Sequence, residues 1–454
     1  MVAADTNTTT PTTAVVGGAE TNSPRPAKVR KIDPASDDST ASTKEQDKQS
    51  FVPVLDLAPM FLPADAEGRE ESVQMLAREL KRTMEEVGFF QIKGHHFPAQ
   101  HLQEFLILAH AFFDLPDAEK RKFPMTPSYP YGYEAAEILA AGFENERKTE
   151  VVEKDGQGAQ GEAPSKNKKT PEPDMKETFN FTLHPKFPPK FPIDTVFLEQ
   201  LDHDENDEKR KKALELFNKH QDALGENAVE KNKIFSHACT RYYESMFSLA
   251  KVLLRLFARA LELPSEDWFL EKVNQHQSAV RALNYPHQDS YQVGRMRASE
   301  HSDYGILTIL KQDTTGGLQV RRELGVDKHD WVDVGSSDDC FVVNIGDLMQ
   351  RWTNDKWKST VHRVVSPKLF AEQKSNRRQS VAFFFNANED AVIETFASCV
   401  GEENKYPPVI AGEYLLGKHG KANQETTTAP DGESKKYRNE LELSTDSTNL
   451  GRIM

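Results

Sequence analysis

From about residue 279 to residue 395 the chain is a succession of short apolar stretches cut by turn residues, and this pattern limits the fold more than any other feature. "AVRALNY", "GILTIL", "GGLQV", "CFVVNI", "STVHRVV" and "SVAFFFN" are strand-length and rich in β-branched and aromatic residues. Gly316-Gly317 and Asn354-Asp355 are pairs that tolerate the backbone of tight turns. Closely spaced antiparallel strands of this kind must bury their apolar faces on one another, so the pattern predicts a double-sheet jelly roll.

Upstream the texture is mixed. "FVPVLDL" (51–57) alternates as a strand does, and "ESVQMLARELKRTMEEVGFFQIKGH" reads as an amphipathic helix, a break at Gly88 and a strand over residues 89–92. "LQEFLILAHAFFDLP" carries a second helix. In "TRYYESMFSLAKVLLRLFARALEL", Tyr242, Met246, Leu249, Leu253, Leu256 and Ala260 recur at spacings of three and four, and Pro264 ends the run. That stripe is core. The expected class is therefore α+β with a mainly β core, one jelly roll wrapped by helices. Length alone, at 454 residues, would suggest two or three domains.

Residues 1–50 and the insertion 151–173 contain no aromatic residue, so they bury too little to offset their ordering entropy and are expected to be disordered. Residues 51–200, which include that insertion, form an N-terminal region. A helical segment over 201–273 packs on a core at 274–395, and 396–454 is a C-terminal segment and tail.

A net charge of −14 lacks the basic field of a general nucleic-acid or anionic-membrane binder. Cys239, Cys340 and Cys399 lie far apart with no CxxC pair, which points to a reducing compartment and away from disulfides or thiolate zinc. No apolar run reaches the ~18 residues of a spanning helix, and "MVAADTNTTTPTTAVV" lacks the pattern of a secretory signal. The short basic "PRPAKVRKID" is a solvated charge run or a nuclear-import signal. The expectation is a cytoplasmic, monomeric enzyme acting on a small molecule, without nucleic-acid or membrane partners.

"HSDYGILTIL" (301–310) opens with two metal-capable side chains one residue apart. On a strand, residues i and i+2 share a face, so His301 and Asp303 are expected to project together, roughly 6.6–7 Å apart at their α-carbons. A third ligand must come from a crossing strand, and "KSTVHRVVSP" offers His362. Two imidazoles and one carboxylate suit an octahedral Fe(II) with open positions, although zinc accepts the same ligands. An HxD pair alone is common by chance, and each histidine alone reads as a turn or core residue. The next segment changes this. In "NRRQSVAFFFNAN", Arg378 and Ser380 again stand at i and i+2, a guanidinium fork and a hydroxyl suited to a carboxylate. In "RALNYPHQD", Tyr285 offers a further phenol donor or a packing ring. "FVVNIGDLMQRWTND" is expected to brace the site, with Asn344 and Asp347 structural.

With HSD, VHRVVSP and RQS in this order, the chain resembles the Fe(II)/2-oxoglutarate-dependent dioxygenases of the isopenicillin N synthase-like group. The resemblance covers about residues 51–420 and includes "VPVLDL", "EEVGFFQIKGH", "NYP", "GGLQV" and "YPPVIAGEYL". It implies a distorted double-stranded β-helix in which His301, Asp303 and His362 hold Fe(II). Arg378 and Ser380 would hold the 5-carboxylate of 2-oxoglutarate, and Tyr285 matches the family's tyrosine before proline. It also implies O2 as co-substrate, with succinate and CO2 released while a small organic molecule is oxidised. Three rivals stay open on sequence alone: an iron oxidase that does not use 2-oxoglutarate, a non-catalytic binding protein on the same fold, and a zinc hydrolase. Tyr131 and Tyr133 are candidates for the substrate pocket wall.

Overall fold

The computed structural model describes residues 51–126, 128–135, 176–201, 208–223, 233–289, 291–368 and 375–426. The disorder expected for 1–50 and 151–173 falls outside them. An eight-stranded sheet and a four-stranded sheet carry the β core. In chain order the strands are β1 (Val54–Asp56), β2 (Phe89–Lys93), β3 (Gly132–Glu134), β4 (Glu177–Phe181) and β5 (Ala279–Tyr285). They continue as β6 (Met296–His301), β7 (Leu307–Gln312), β8 (Leu318–Gly325), β9 (Lys328–Asp333), β10 (Phe341–Ile345), β11 (His362–Val365) and β12 (Arg378–Phe385). The large sheet runs β1-β2-β10-β7-β12-β5-β4-β3 and the small one β6-β11-β8-β9. Every pairing in these two sheets is antiparallel except β1 with β2. This is the predicted jelly-roll arrangement.

Cross-strand partners share a face. The pairings of Arg378 with Tyr285, and of Ser380 with Leu283 and Gln312, put these residues on one face of the large sheet. Thr308, Leu310, Asn344 and Phe89 continue that face through the next pairings. There Phe89, Tyr285 and Val342 pack against Ala298, Leu318, Val320 and Val364 of the small sheet, which makes this face the interior of the roll. The opposite face lies in a second, larger core with the helices.

The helix Ile234–Ala260 fills that second core. All six residues of its predicted stripe are buried, each worth about 1.5–3 kcal/mol of apolar transfer for a full-sized side chain. It begins earlier than its apolar run suggests. Asp194, buried and forty positions away, accepts the Ile234 amide at 2.9 Å and the Phe235 amide at 3.3 Å. The cap that starts the helix is tertiary, which is why no local signal marks it. Among the described residues, no helix is long and apolar enough to cross a membrane.

Candidate active site

His301 ends β6 and His362 begins β11, and the two are direct cross-strand partners with ring centroids 4.3 Å apart. Asp303 does not sit on that strand. β6 stops at His301 and β7 starts at Leu307, so "HSDYGILTIL" is a strand end, a bend and a new strand. The expectation that His301 and Asp303 share one strand face is corrected here. Main-chain bonding explains the bend: the Asp303 carbonyl accepts the Asp347 amide at 2.8 Å, and the Gly305 carbonyl accepts that of Leu348 at 3.2 Å. These amides open the short helix Asp347–Trp352. Gly346 allows the approach, since a Cβ there would lie 2.4 Å from the Gly305 oxygen and 2.9 Å from that of Asp303.

The bend still delivers the carboxylate. One ligand atom from each of His301, Asp303 and His362 lies within 4.8 Å of the others, and Asp303 Oδ1 stands 4.0 Å from His362 Nε2. His301 Nδ1 donates to the Ser299 carbonyl at 2.7 Å, and His362 Nδ1 to that of Thr360 at 3.1 Å. A carbonyl only accepts, so Nδ1 carries a proton in both rings, and the neutral form of each presents its lone pair on Nε2. Desolvation, and then the neighbouring His362, push His301 down to about 4, which keeps its ring neutral. Asp303 Oδ2 accepts from Thr308 Oγ1 at 2.6 Å and Asn344 Nδ2 at 2.7 Å, leaving Oδ1 for an ion. Burial raises this carboxyl, but the two imidazoles and these hydrogen bonds outweigh it and hold it below the usual range. The donor set suits a divalent metal, with open coordination beside three protein ligands. Asn344 thus touches the carboxylate and orients it, while Asp347 accepts from Ser359 at 2.8 Å and from Lys418 at 2.8 Å.

Arg378 and Ser380 do lie at i and i+2 of β12, both buried. The guanidinium donates to the Gly316 carbonyl at 2.8 Å, Ser380 Oγ at 3.0 Å and Gln312 Oε1 at 3.2 Å. Its Cζ lies 5.0 Å from the Tyr285 ring centre. All three hydrogen-bond partners are neutral. Among the described residues no carboxylate pairs with this cation, so the pocket is charged for an incoming anion. Gln312 and Thr308 join the interior face of the large sheet with no signal in the sequence, because a polar residue in an apolar strand has no period of its own, and Arg297 of the small sheet reaches the Tyr285 ring on it.

The outer face of the same strand ends is locked by buried charge. Glu177 accepts from Lys120 at 2.7 Å, Tyr133 at 2.5 Å and Asn284 at 2.7 Å. Asn284 in turn accepts from Arg377 at 2.7 Å, and Arg377 pairs with Asp114 at 2.6 Å. Asn284 and Arg377 precede Tyr285 and Arg378, so this network anchors the positions that carry the anion pocket. Tyr133 belongs to it and packs in the helical core, which removes it from the pocket wall. Tyr131 is buried beside Tyr129 and Phe187.

Residues 276–387 match the family model of the 2OG-Fe(II) oxygenase superfamily, and residues 52–201 match that of the non-haem dioxygenase in morphine synthesis N-terminal region. The chain belongs to the 2OG-Fe(II) oxygenase superfamily: it is an oxidoreductase of the dioxygenase type that works with Fe(II), 2-oxoglutarate and O2. Among its relatives is the 2-oxoglutarate-Fe(II) type oxidoreductase hxnY of Emericella nidulans, 28% identical over 375 residues, or 81% of this chain and 89% of the relative. The proline hydroxylase buaE of Petromyces alliaceus is 29% identical over 75% of this chain and 90% of its own length. Among solved structures, a full-length Neurospora crassa protein in complex with alpha-KG aligns with a TM-score of 0.60 at 23% identity, covering 83% of this chain and 98% of that one. That likeness establishes the fold.

Proposed function

We propose that His301, Asp303 and His362 hold the Fe(II), and that Arg378, Ser380 and Tyr285 hold the far carboxylate of 2-oxoglutarate, as in the isopenicillin N synthase-like group. The observation that carries this is what meets in the interior between the two sheets: three ligand atoms within 4.8 Å of one another, and a buried guanidinium without a counter-ion among the described residues. When bound, Fe(II) and 2-oxoglutarate supply oxidative decarboxylation to succinate and CO2 coupled to oxidation of a substrate. The protein's own part is positional. Ser299 and Thr360 fix the imidazole tautomers, and Asn344 and Thr308 fix the carboxylate.

The substrate is a polar small molecule that is hydroxylated or desaturated. Arg281 supports this, since it lies on the same interior face as Ser380 and Leu283, over the Phe384 ring at 5.3 Å. Its Nε donates to Asn180 Oδ1 at 2.7 Å, which fixes the plane of the guanidinium. The relatives' names, proline hydroxylase and homoarginine-6-hydroxylase, fit such a substrate. The working form we propose is a cytoplasmic monomer, with Cys239, Cys340 and Cys399 reduced; all three are free thiols in this structure.

Anaerobic loading with Fe(II) tests the assignment. His362→Ala is expected to lose most iron affinity and all succinate formation while remaining folded, and unchanged iron content by elemental analysis refutes it. Arg378→Ala should keep its iron and bind 2-oxoglutarate roughly ten- to several-hundred-fold more weakly, with Arg378→Lys in between.

A further inference from the structure

Arg297 is a second buried arginine at the same end of the roll, and nothing described so far uses it. It sits on β6, the strand that ends in His301, and is 1% exposed, as Arg378 is. Its Nε donates to Ser366 Oγ at 3.1 Å and its Nη1 to the Asn376 carbonyl at 3.0 Å. Nη2 is buried with no hydrogen-bond partner among the described residues. Asn376 lies two residues before Arg378, so Arg297 crosses from the small sheet to the start of β12. Its Cζ is 6.0 Å from the centre of the Tyr285 ring, which Arg378 borders at 5.0 Å. Tyr291 covers it at 5.7 Å, and the Tyr291 hydroxyl is spent on the Pro367 carbonyl at 2.5 Å.

Two guanidiniums therefore border one buried ring, and among the described residues no carboxylate pairs with either. Removing a cation from water without a counter-ion is costly, and a like charge nearby adds to that cost. Burial does depress the Arg297 pKa, and the neighbouring Arg378 contributes in the same direction, although an arginine stays protonated. Its contacts to Ser366, Asn376 and the two tyrosine rings tie the sheets together, but they leave its charge uncompensated and one donor unsatisfied. Both are explained by an anion that arrives later.

Resting on the co-substrate placement proposed above, we propose that Arg297 is a second recognition residue for the far carboxylate of 2-oxoglutarate. It would supply its charge and the free Nη2 proton, directly or through one water. Arg378 and Ser380 then grip the carboxylate from the large sheet while Arg297 faces it from the small one. The pair makes the pocket selective for a dicarboxylate over a 2-oxo monoacid of equal length.

Calorimetry on the full chain, loaded anaerobically with Mn(II), tests this with two ligands, 2-oxoglutarate and 2-oxopentanoate, which lacks the far carboxylate. Arg297→Gln is expected to weaken 2-oxoglutarate roughly ten- to a hundred-fold and to leave 2-oxopentanoate and Mn(II) affinity unchanged. Equal 2-oxoglutarate affinity overturns the proposal, and so does an equal loss for both ligands, which would mark a purely structural role. Should Arg297→Gln fail to fold, Arg297→Lys is the reading variant, with a several-fold loss confined to the diacid expected and no change overturning the idea. Arg378→Ala separates the two levels. If it loses 2-oxoglutarate while Arg297→Gln does not, only the role of Arg297 fails; if both are indifferent, the co-substrate placement itself fails.

Discussion

Asn344 shows how the proposed metal site depends on a residue that would not itself meet the metal. Its amide holds Asp303 Oδ2 at 2.7 Å, with Thr308 on the same oxygen, so the carboxylate rotor is fixed with Oδ1 turned to the imidazoles. Removing such a partner typically weakens metal binding by about ten- to a hundred-fold. Asn344→Ala is expected to show that loss in an anaerobic Fe(II) titration while keeping its affinity for 2-oxoglutarate in the Mn(II)-saturated protein. An unchanged Fe(II) affinity would mean that Thr308 alone suffices. His301, Asp303, His362, Arg378 and Ser380, the residues we propose for the site, are all legible in the sequence because ligand chemistry demands those residue types. Asn344 reads there only as structural, since its contact with Asp303 depends on β10 and β7 being neighbours.

At the scale of elements, the informative cases are those in which a distant residue decides where an element starts or stops. The apolar stripe of the helix Ile234–Ala260 is visible as a period, but its first turn is held by Asp194 from another helix. Asp194→Ala leaves two buried amides without their acceptor and is expected to cost about 1–2 kcal/mol in chemical denaturation, with Asp194→Asn losing less. No change in the midpoint would show that water or a neighbour replaces the cap. The bend after His301 has the same origin. Residues 301–310 read locally as one strand, and only the approach of the helix Asp347–Trp352, permitted by Gly346, turns Asp303 out of it.

For the whole molecule, acid should act through histidines buried neutral. His276 bonds Ser278 at 2.7 Å and packs its ring against Phe247 and Phe385. Desolvation, and then the charges of His184 and Lys251, push it down to about 4 from an ordinary 6.5. The unfolded chain therefore takes up this proton first. Stability is full above pH 6.5 and falls as pH drops from there toward 4, by about 3 kcal/mol at most for this one group. His276→Gln should flatten part of that slope in denaturation curves recorded at successive pH values. A slope identical to wild type would place the acid sensitivity elsewhere.

Local chemistry determined much of this protein before any coordinates. Period-two apolar runs with turn residues between them leave few ways to bury their faces, so the jelly roll followed. The metal and co-substrate chemistries each need particular side chains, so the five residues we propose for the site could be named from the sequence as well. What only the tertiary structure decided is which polar residues meet those side chains. Asn344 on Asp303, Asp194 under the helix Ile234–Ala260 and Arg297 beside Tyr285 each join segments separated along the chain. A hydrogen bond or an ion's field acts over a few ångströms of space, and sequence separation carries no record of that distance.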